Sequence, residues 1–154
     1  MTEDIEVNEK GLVAVINKSN NVYRNILQKG VDYDKPYPSA PKPVLLKPGM
    51  EKLLLAFNLE LRILNIDTQQ DGADREYTIT TGIFSRKTGE KLAEGIGMCS
   101  TKEKKWTRDN PPDQYNTILK MAKKRSGMDA TLSGLGLSAL FTQDLIEKKS
   151  EIDD

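Results

Sequence analysis

The sequence predicts an α+β fold: a β-β-β-α core, in which a three-stranded antiparallel meander packs on a long helix, preceded by N-terminal helices. Three observations predict it. The apolar period switches to two between Glu60 and Ser100, with turn residues breaking the run twice. A long segment from Gln114 then returns to a helical period. Before the switch, two helical stretches flank a proline-rich segment.

The elements follow in chain order. Gly11–Lys29 reads as a first helix, with Val15, Ile16, Val22, Ile26 and Leu27 at loosely helical spacing and Gly30 as its stop. Val31–Pro43 is an extended linker, because its four prolines forbid helix and hold the residues before them in β or polyproline geometry. A second helix starts near Pro48, since proline suits a first helical turn, and ends near Asn58.

Glu60–Ile66 is the first strand, with Leu61, Ile63 and Asn65 opposed to Arg62, Leu64 and Ile66. Gln70–Asp74 is a turn. Glu76–Phe84 is the second strand, with Tyr77, Ile79, Thr81 and Ile83 on one face. Lys87–Glu90 reads as a hairpin turn. Lys91–Ser100 is the third strand, with Leu92, Glu94, Ile96 and Met98 on one side and glycines that signal a bulge or a close backbone approach. Asn110–Asp113 breaks the chain. The last long helix places Ile118, Met121, Ala122, Met128 and Leu132 at helical spacing, with Lys120, Lys123 and Lys124 largely on the other face. Gly134 and Gly136 end it. Leu137–Ile146 is expected to add a helical turn or two. The organisation is one domain, residues 1–146, with a charged tail at 147–154.

Composition narrows the function. With 154 residues the chain can bury a core without metals or disulfides. Its single cysteine, Cys99, forms no intramolecular disulfide and fits a reducing, cytoplasmic setting. The acidic start, Met1–Glu6, has no apolar run of a secretory signal. The absence of histidine removes Ser-His-Asp and Cys-His catalysis and His-containing zinc sites. No phosphate-binding glycine loop is present, so no cofactor is expected.

The charge is sorted along the chain. Arg86–Arg125 holds eleven basic and five acidic residues, an excess of six positive charges in a chain whose net charge is zero. Such sorting suits a surface that meets a polyanion, although a solvated helix face beside a lysine-rich loop gives the same pattern. Trp106 lies in the basic loop among Lys102, Lys104, Lys105 and Arg108; an aromatic among cations can stack on unpaired bases, and equally can anchor a loop to the core. Lys120, Lys123, Lys124 and Arg125 complete the candidate set for nucleic-acid binding. Arg125 can also form an ion pair with Asp129, one helical turn on.

These residues also carry a resemblance. Leu46-Lys47-Pro48-Gly49-Met50-Glu51-Lys52-Leu53 looks like the N-terminal signature of phage and mobile-element recombination proteins. Gly95–Trp106 looks like their strand-to-loop junction. Asn116–Arg125, followed by Asp129-Ala130-Thr131-Leu132 and Phe141-Thr142-Gln143-Asp144, looks like their C-terminal helix. Over Gly30–Asp144 the chain resembles the single-strand annealing superfamily, which includes phage Erf, Redβ, RecT, Sak and the eukaryotic Rad-type annealers. The resemblance implies a β-β-β-α core, homo-oligomeric rings or filaments, and single-stranded DNA held along a basic groove. It further implies annealing of complementary strands without ATP in recombination and repair. Gly127 departs from the family pattern, as does Leu135–Leu140.

The expected function is therefore binding and annealing of single-stranded DNA rather than catalysis. The alternative is a protein-interaction module, such as a phage accessory factor or an inhibitor of a host nuclease, with the basic face meeting an acidic protein. A metal-dependent nuclease built on Glu76, Glu90, Glu94 or Asp113 ranks last, because their spacing defines no shared site.

Overall fold

The computed structural model describes residues 2–103, 105 and 109–142, and side chains from residue 8 onward. Helix α1 spans Thr2–Asn25. It starts well before Gly11 and stops short of Lys29. Its C-terminal part docks on the body: Ser19 and Val22 are buried, whereas Leu12, Val13 and Ile16 stand in solvent. Tyr23 stacks on Tyr33 at 4.8 Å between ring centroids and meets Phe141 at 5.3 Å.

The proline-rich segment is more ordered than an open linker. Its ends pair as short strands β1 (Tyr33–Asp34) and β2 (Val44–Leu45), and Asp32, Pro36 and Ala40 are buried. Asp32 organises it. Its Oδ2 accepts from Gln28 N–H and from Lys52 Nζ, both at 2.8 Å. Its carbonyl accepts from Leu46 N–H at 2.9 Å. Burial opposes ionisation of this carboxyl, but Lys52 and the Gln28 N–H outweigh it and hold the pKa below the ordinary aspartate value.

Helix α2 is Lys47–Ala56, with Pro48 in its first turn. Gly49 is required there, because a Cβ would come closer than 3.0 Å to the Asp32 carbonyl. Leu53 and Leu54 bury fully, about 1.5–3 kcal/mol of apolar transfer each at the upper limit. Asn58 takes a left-handed turn (φ 56°) and the chain enters the sheet.

The sheet is an antiparallel meander of β3 (Leu59–Asp71), β4 (Asp74–Ser85) and β5 (Lys91–Ser100) in that order. The first hairpin is tighter than the sequence suggests: β3 runs through to Asp71 and turns on Gly72 and Ala73. A bulge at Leu64 shifts the face pattern, so Ile63 pairs with Thr81 and Ile66 with Ile79. Ile63 and Ile66 therefore share a face, whereas simple alternation opposes them. On β4 the expected face is buried: Tyr77, Ile79, Thr81 and Ile83.

A 3-10 turn at Pro111–Gln114 leads into helix α3, Tyr115–Gly134. α3 covers β4 and β5. Ile118, Ala122 and Ser126 bury against the sheet, and the hydroxyls of Ser126 and Thr81 bond each other there. The glycines of β5 mark the close approach: a Cβ at Gly95 or Gly97 would come closer than 3.0 Å to the α3 backbone at Ala130 or Ser126. Residues 137–142 form no further helix. Leu137 and Phe141 enter the main core, and Thr142 bridges in parallel to Val44. The tail at 147–154 lies outside the described residues.

Gly97→Ala should lower unfolding free energy by about 2–3 kcal/mol in urea denaturation, the cost of overpacking a rigid contact. Gly11→Ala, at an exposed helical position with open space around it, should raise stability by up to about 1 kcal/mol. Equal effects at both positions would remove the close-approach reading.

Candidate nucleic-acid interface

α3 is drawn over β4 and β5, so the same face of β3 is left bare beside it. Between α3, the first turn of α2 and β3 lies a groove of about 420 Å³. Its floor is apolar: Met50, Leu61, Ile63 and Gly127, with Thr81. Its walls carry Lys120, Lys123 and Lys124 from α3 and Lys47 from α2, against one acid, Glu51. Lys120, Lys123 and Lys47 are exposed and make no ion pair among the described residues. The helical period explains the wall. Ile118, Ala122 and Ser126 face the sheet, so Lys123 and Gly127, about a quarter turn round, fall on the flank toward β3, while Lys120 and Lys124 stand on the far side of the helix and line the groove from its rim.

Gly127 has its physical reason here. It is buried, and a Cβ would lie 3.1 Å from Leu61 and 3.7 Å from the Met50 sulfur. The missing side chain keeps the floor open between helix and strand. Its helix-propensity cost of about 1 kcal/mol is the cost of that opening.

Not every expected residue joins the groove. Lys102 sits at the β3–β4 hairpin end, bonded to Asp71 at 2.7 Å in a polar hollow with Asp74, Arg75 and Glu76. That bond raises the lysine pKa and lowers the aspartate pKa. Arg125 lies on the opposite flank of α3. It donates to the Met98 carbonyl at 2.7 Å and forks onto Glu103 at 3.0 and 3.1 Å. It does not pair with Asp129, whose Oδ2 accepts from Ile96 N–H at 2.9 Å. Arg125 is thus a clamp between helix and strand rather than a free cation. Lys105 is half-buried and already engaged. Lys104, Trp106 and Arg108 lie outside the described residues.

Lys47 is the residue the charge-sorted segment missed. It lies 39 residues before the start of that segment at Arg86, and only the fold brings it to the α3 lysines. No aromatic side chain is among the groove's lining residues. Glu76, Glu90, Glu94 and Asp113 do not converge; among the described residues no group of three or more acidic, cysteine or histidine side chains could hold a metal ion. No helix among them is long and apolar enough to cross a membrane.

No protein-family model matches the chain, and no curated protein matches it significantly in sequence.

The Arg125–Glu103 clamp has a pH signature. Burial raises the Glu103 pKa, but Arg125 and the Ser100 N–H outweigh it and hold it below the ordinary value. A carboxyl with a lowered folded pKa stabilises above its unfolded pKa of about 4.3, and this stabilisation fades as pH falls through the folded pKa. Glu103→Gln should therefore destabilise the protein at pH 7 and flatten the loss of stability on acidification below about pH 4.3. An acid-denaturation curve parallel to that of the parent protein would contradict this.

Proposed function

We propose that this chain is a single-stranded DNA-binding protein that promotes annealing of complementary strands without ATP, as the resemblance to the single-strand annealing superfamily implies. The observation that carries the reading is the groove: three lysines without an ion pair among the described residues, and Lys124, along an apolar floor. Phosphates would sit against Lys47, Lys120, Lys123 and Lys124, giving an affinity set by counterion release. Sugars and base faces would lie on Leu61, Ile63 and Met50. The floor offers little to read a base edge, because the Thr81 hydroxyl is already bonded to Ser126. Binding would then be indifferent to sequence and leave the pairing edges of the bases turned to solvent, which annealing needs.

Lys124 keeps its place because it lines the groove, although it already has an interaction of its own; Lys102 and Arg125 lie off the groove and do not keep theirs. Their partners, Asp71 and Glu103, already neutralise them.

Fluorescence polarisation with a labelled oligonucleotide tests the reading. Lys120→Glu with Lys123→Glu should weaken binding at least tenfold at low salt. Lys47→Ala should lower the slope of log affinity against log salt by about 0.7, the value per phosphate for single strands. Lys102→Ala should bind like the parent. Absence of binding at low salt would overturn the proposal. Loss on Lys102→Ala with no loss in the groove variants would overturn the site.

A further inference from the structure

The two edges of the sheet differ. On β5 side chains close three of the outward backbone groups. Asp129 accepts from Ile96 N–H at 2.9 Å, Arg125 donates to the Met98 carbonyl at 2.7 Å, and Glu103 accepts from Ser100 N–H at 3.0 Å. These alternate residues are the ones a further strand would need. On β3, no backbone group between Glu60 and Asp71 bonds outside the β3–β4 ladder among the described residues. Every residue from Arg62 to Asp71 is exposed, including Ile63, Leu64 and Ile66 at 42–45%. The strand has no proline and no lysine to discourage pairing.

We propose that the free edge of β3 pairs antiparallel with β3 of a second copy of this chain, giving a two-fold dimer with a continuous six-stranded sheet. The capped groups on β5 disfavour strand addition from β5 to β3, so this pairing by itself closes at two copies, and the rings or filaments the resemblance implies would need a second contact.

The occupant is argued from self-complementarity. A two-fold axis between Leu64 and Asn65 sets Arg62 opposite Asp67 of the second copy and Ile63 opposite its Ile66. Residues directly opposite must share a face. The bulge at Leu64 makes this register work. Arg62 and Asp67 pair with Gly82 and Thr78 of β4, both on the face away from α3. Ile63 and Ile66 pair with Thr81 and Ile79, both on the α3 face. Leu64 also lies on the outer face, 3.1 Å from where a Gly82 Cβ would be, with Asn65 beside Thr80. Shifting the register by one residue sets an outer residue against an inner one and loses both matches. Symmetry doubles each gain: two Arg–Asp pairs and two Ile–Ile pairs per dimer. Arg62 already bonds Glu60 and lies over the Phe84 ring at 4.5 Å, so its guanidinium is held on the face where Asp67 of the second copy arrives.

Sedimentation velocity of the full chain without DNA, over a concentration series, tests this. The parent protein should dimerise. Asp67→Arg, at an exposed residue with no partner of its own, should raise the dimer dissociation constant at least tenfold. Arg62→Asp combined with Asp67→Arg should restore the dimer, since the swap rebuilds both pairs. Far-UV circular dichroism should show all variants folded. A parent protein that stays monomeric would overturn the proposal, as would a dimer indifferent to Asp67→Arg or a swap that fails to restore it. Assembly abolished by Leu92→Lys with Met98→Lys, on the outer sheet face, but untouched by Asp67→Arg would also overturn it, in favour of packing through that face. Neither Arg62 nor Asp67 lines the lysine groove. Ile63 belongs to both the groove floor and the proposed seam, but the Asp67→Arg and swap variants test dimerisation without removing a groove residue.

Discussion

Direct contact between the backbones of α3 and β5 sets the rest of the structure. Gly95 and Gly97 leave no side chain on the strand where the helix lies, so Ser126 and Ala130 rest on the strand itself. The contact is pinned from both sides. Ser126 bonds Thr81 on the neighbouring strand, while Arg125 and Asp129 bond the β5 edge. A helix with its side chains is about 10–12 Å across, and strands lie about 4.8 Å apart. One helix centred on β5 and β4 therefore cannot also cover β3. The bare strand follows from where the glycines sit.

A bare strand beside a helix is only a step in the surface until a second wall closes it. That wall is the first turn of α2, and a buried carboxylate outside the groove's lining positions it. Asp32 ties Gln28, Leu46 and Lys52 together, and its carbonyl leaves room for nothing larger than Gly49. The start of α2 is thus fixed against the proline-rich segment, and Lys47 and Met50 project over β3 from it. Breaking a buried charge pair by removing one partner typically costs 3–5 kcal/mol. The groove wall is therefore coupled to the stability of a segment that contributes nothing to its lining.

Much of the fold was legible because period and turn chemistry are local signals. The three strands, the second helix and the long C-terminal helix all follow from residue spacing and from glycine and proline positions. What escaped depended on distant partners. The bulge at Leu64 shows no glycine or proline, and it reverses the faces of Asn65 and Ile66. The ordering of Val31–Pro43 depends on Asp32 finding Lys52. Leu137–Thr142 has helical composition, but Phe141 gains more by entering the core beside Tyr23. The lysines of α3 were legible as a charged flank, whereas Lys47 was not, since no pattern in sequence joins it to them. Gly127 reads as a flaw in a helix and becomes intelligible only with Leu61 beneath it.

Charge alone was the weaker guide to the site, and the structure gives the reason. Of the basic residues in Arg86–Arg125, several are used internally. Arg125 fastens helix to strand, Lys102 ties the loop to the hairpin, and Lys91 bonds Glu94. A cation with a carboxylate at 3 Å presents little field to an arriving polyanion, and phosphate would have to displace the partner first. Lys47, Lys120 and Lys123 have no such partner among the described residues, so their field is not spent internally. A chain with no net charge can therefore hold one positive groove, provided its acids are spent on the cations elsewhere. The Lys102–Asp71 and Arg125–Glu103 pairs do this, and the unpaired lysines are left together over an apolar floor.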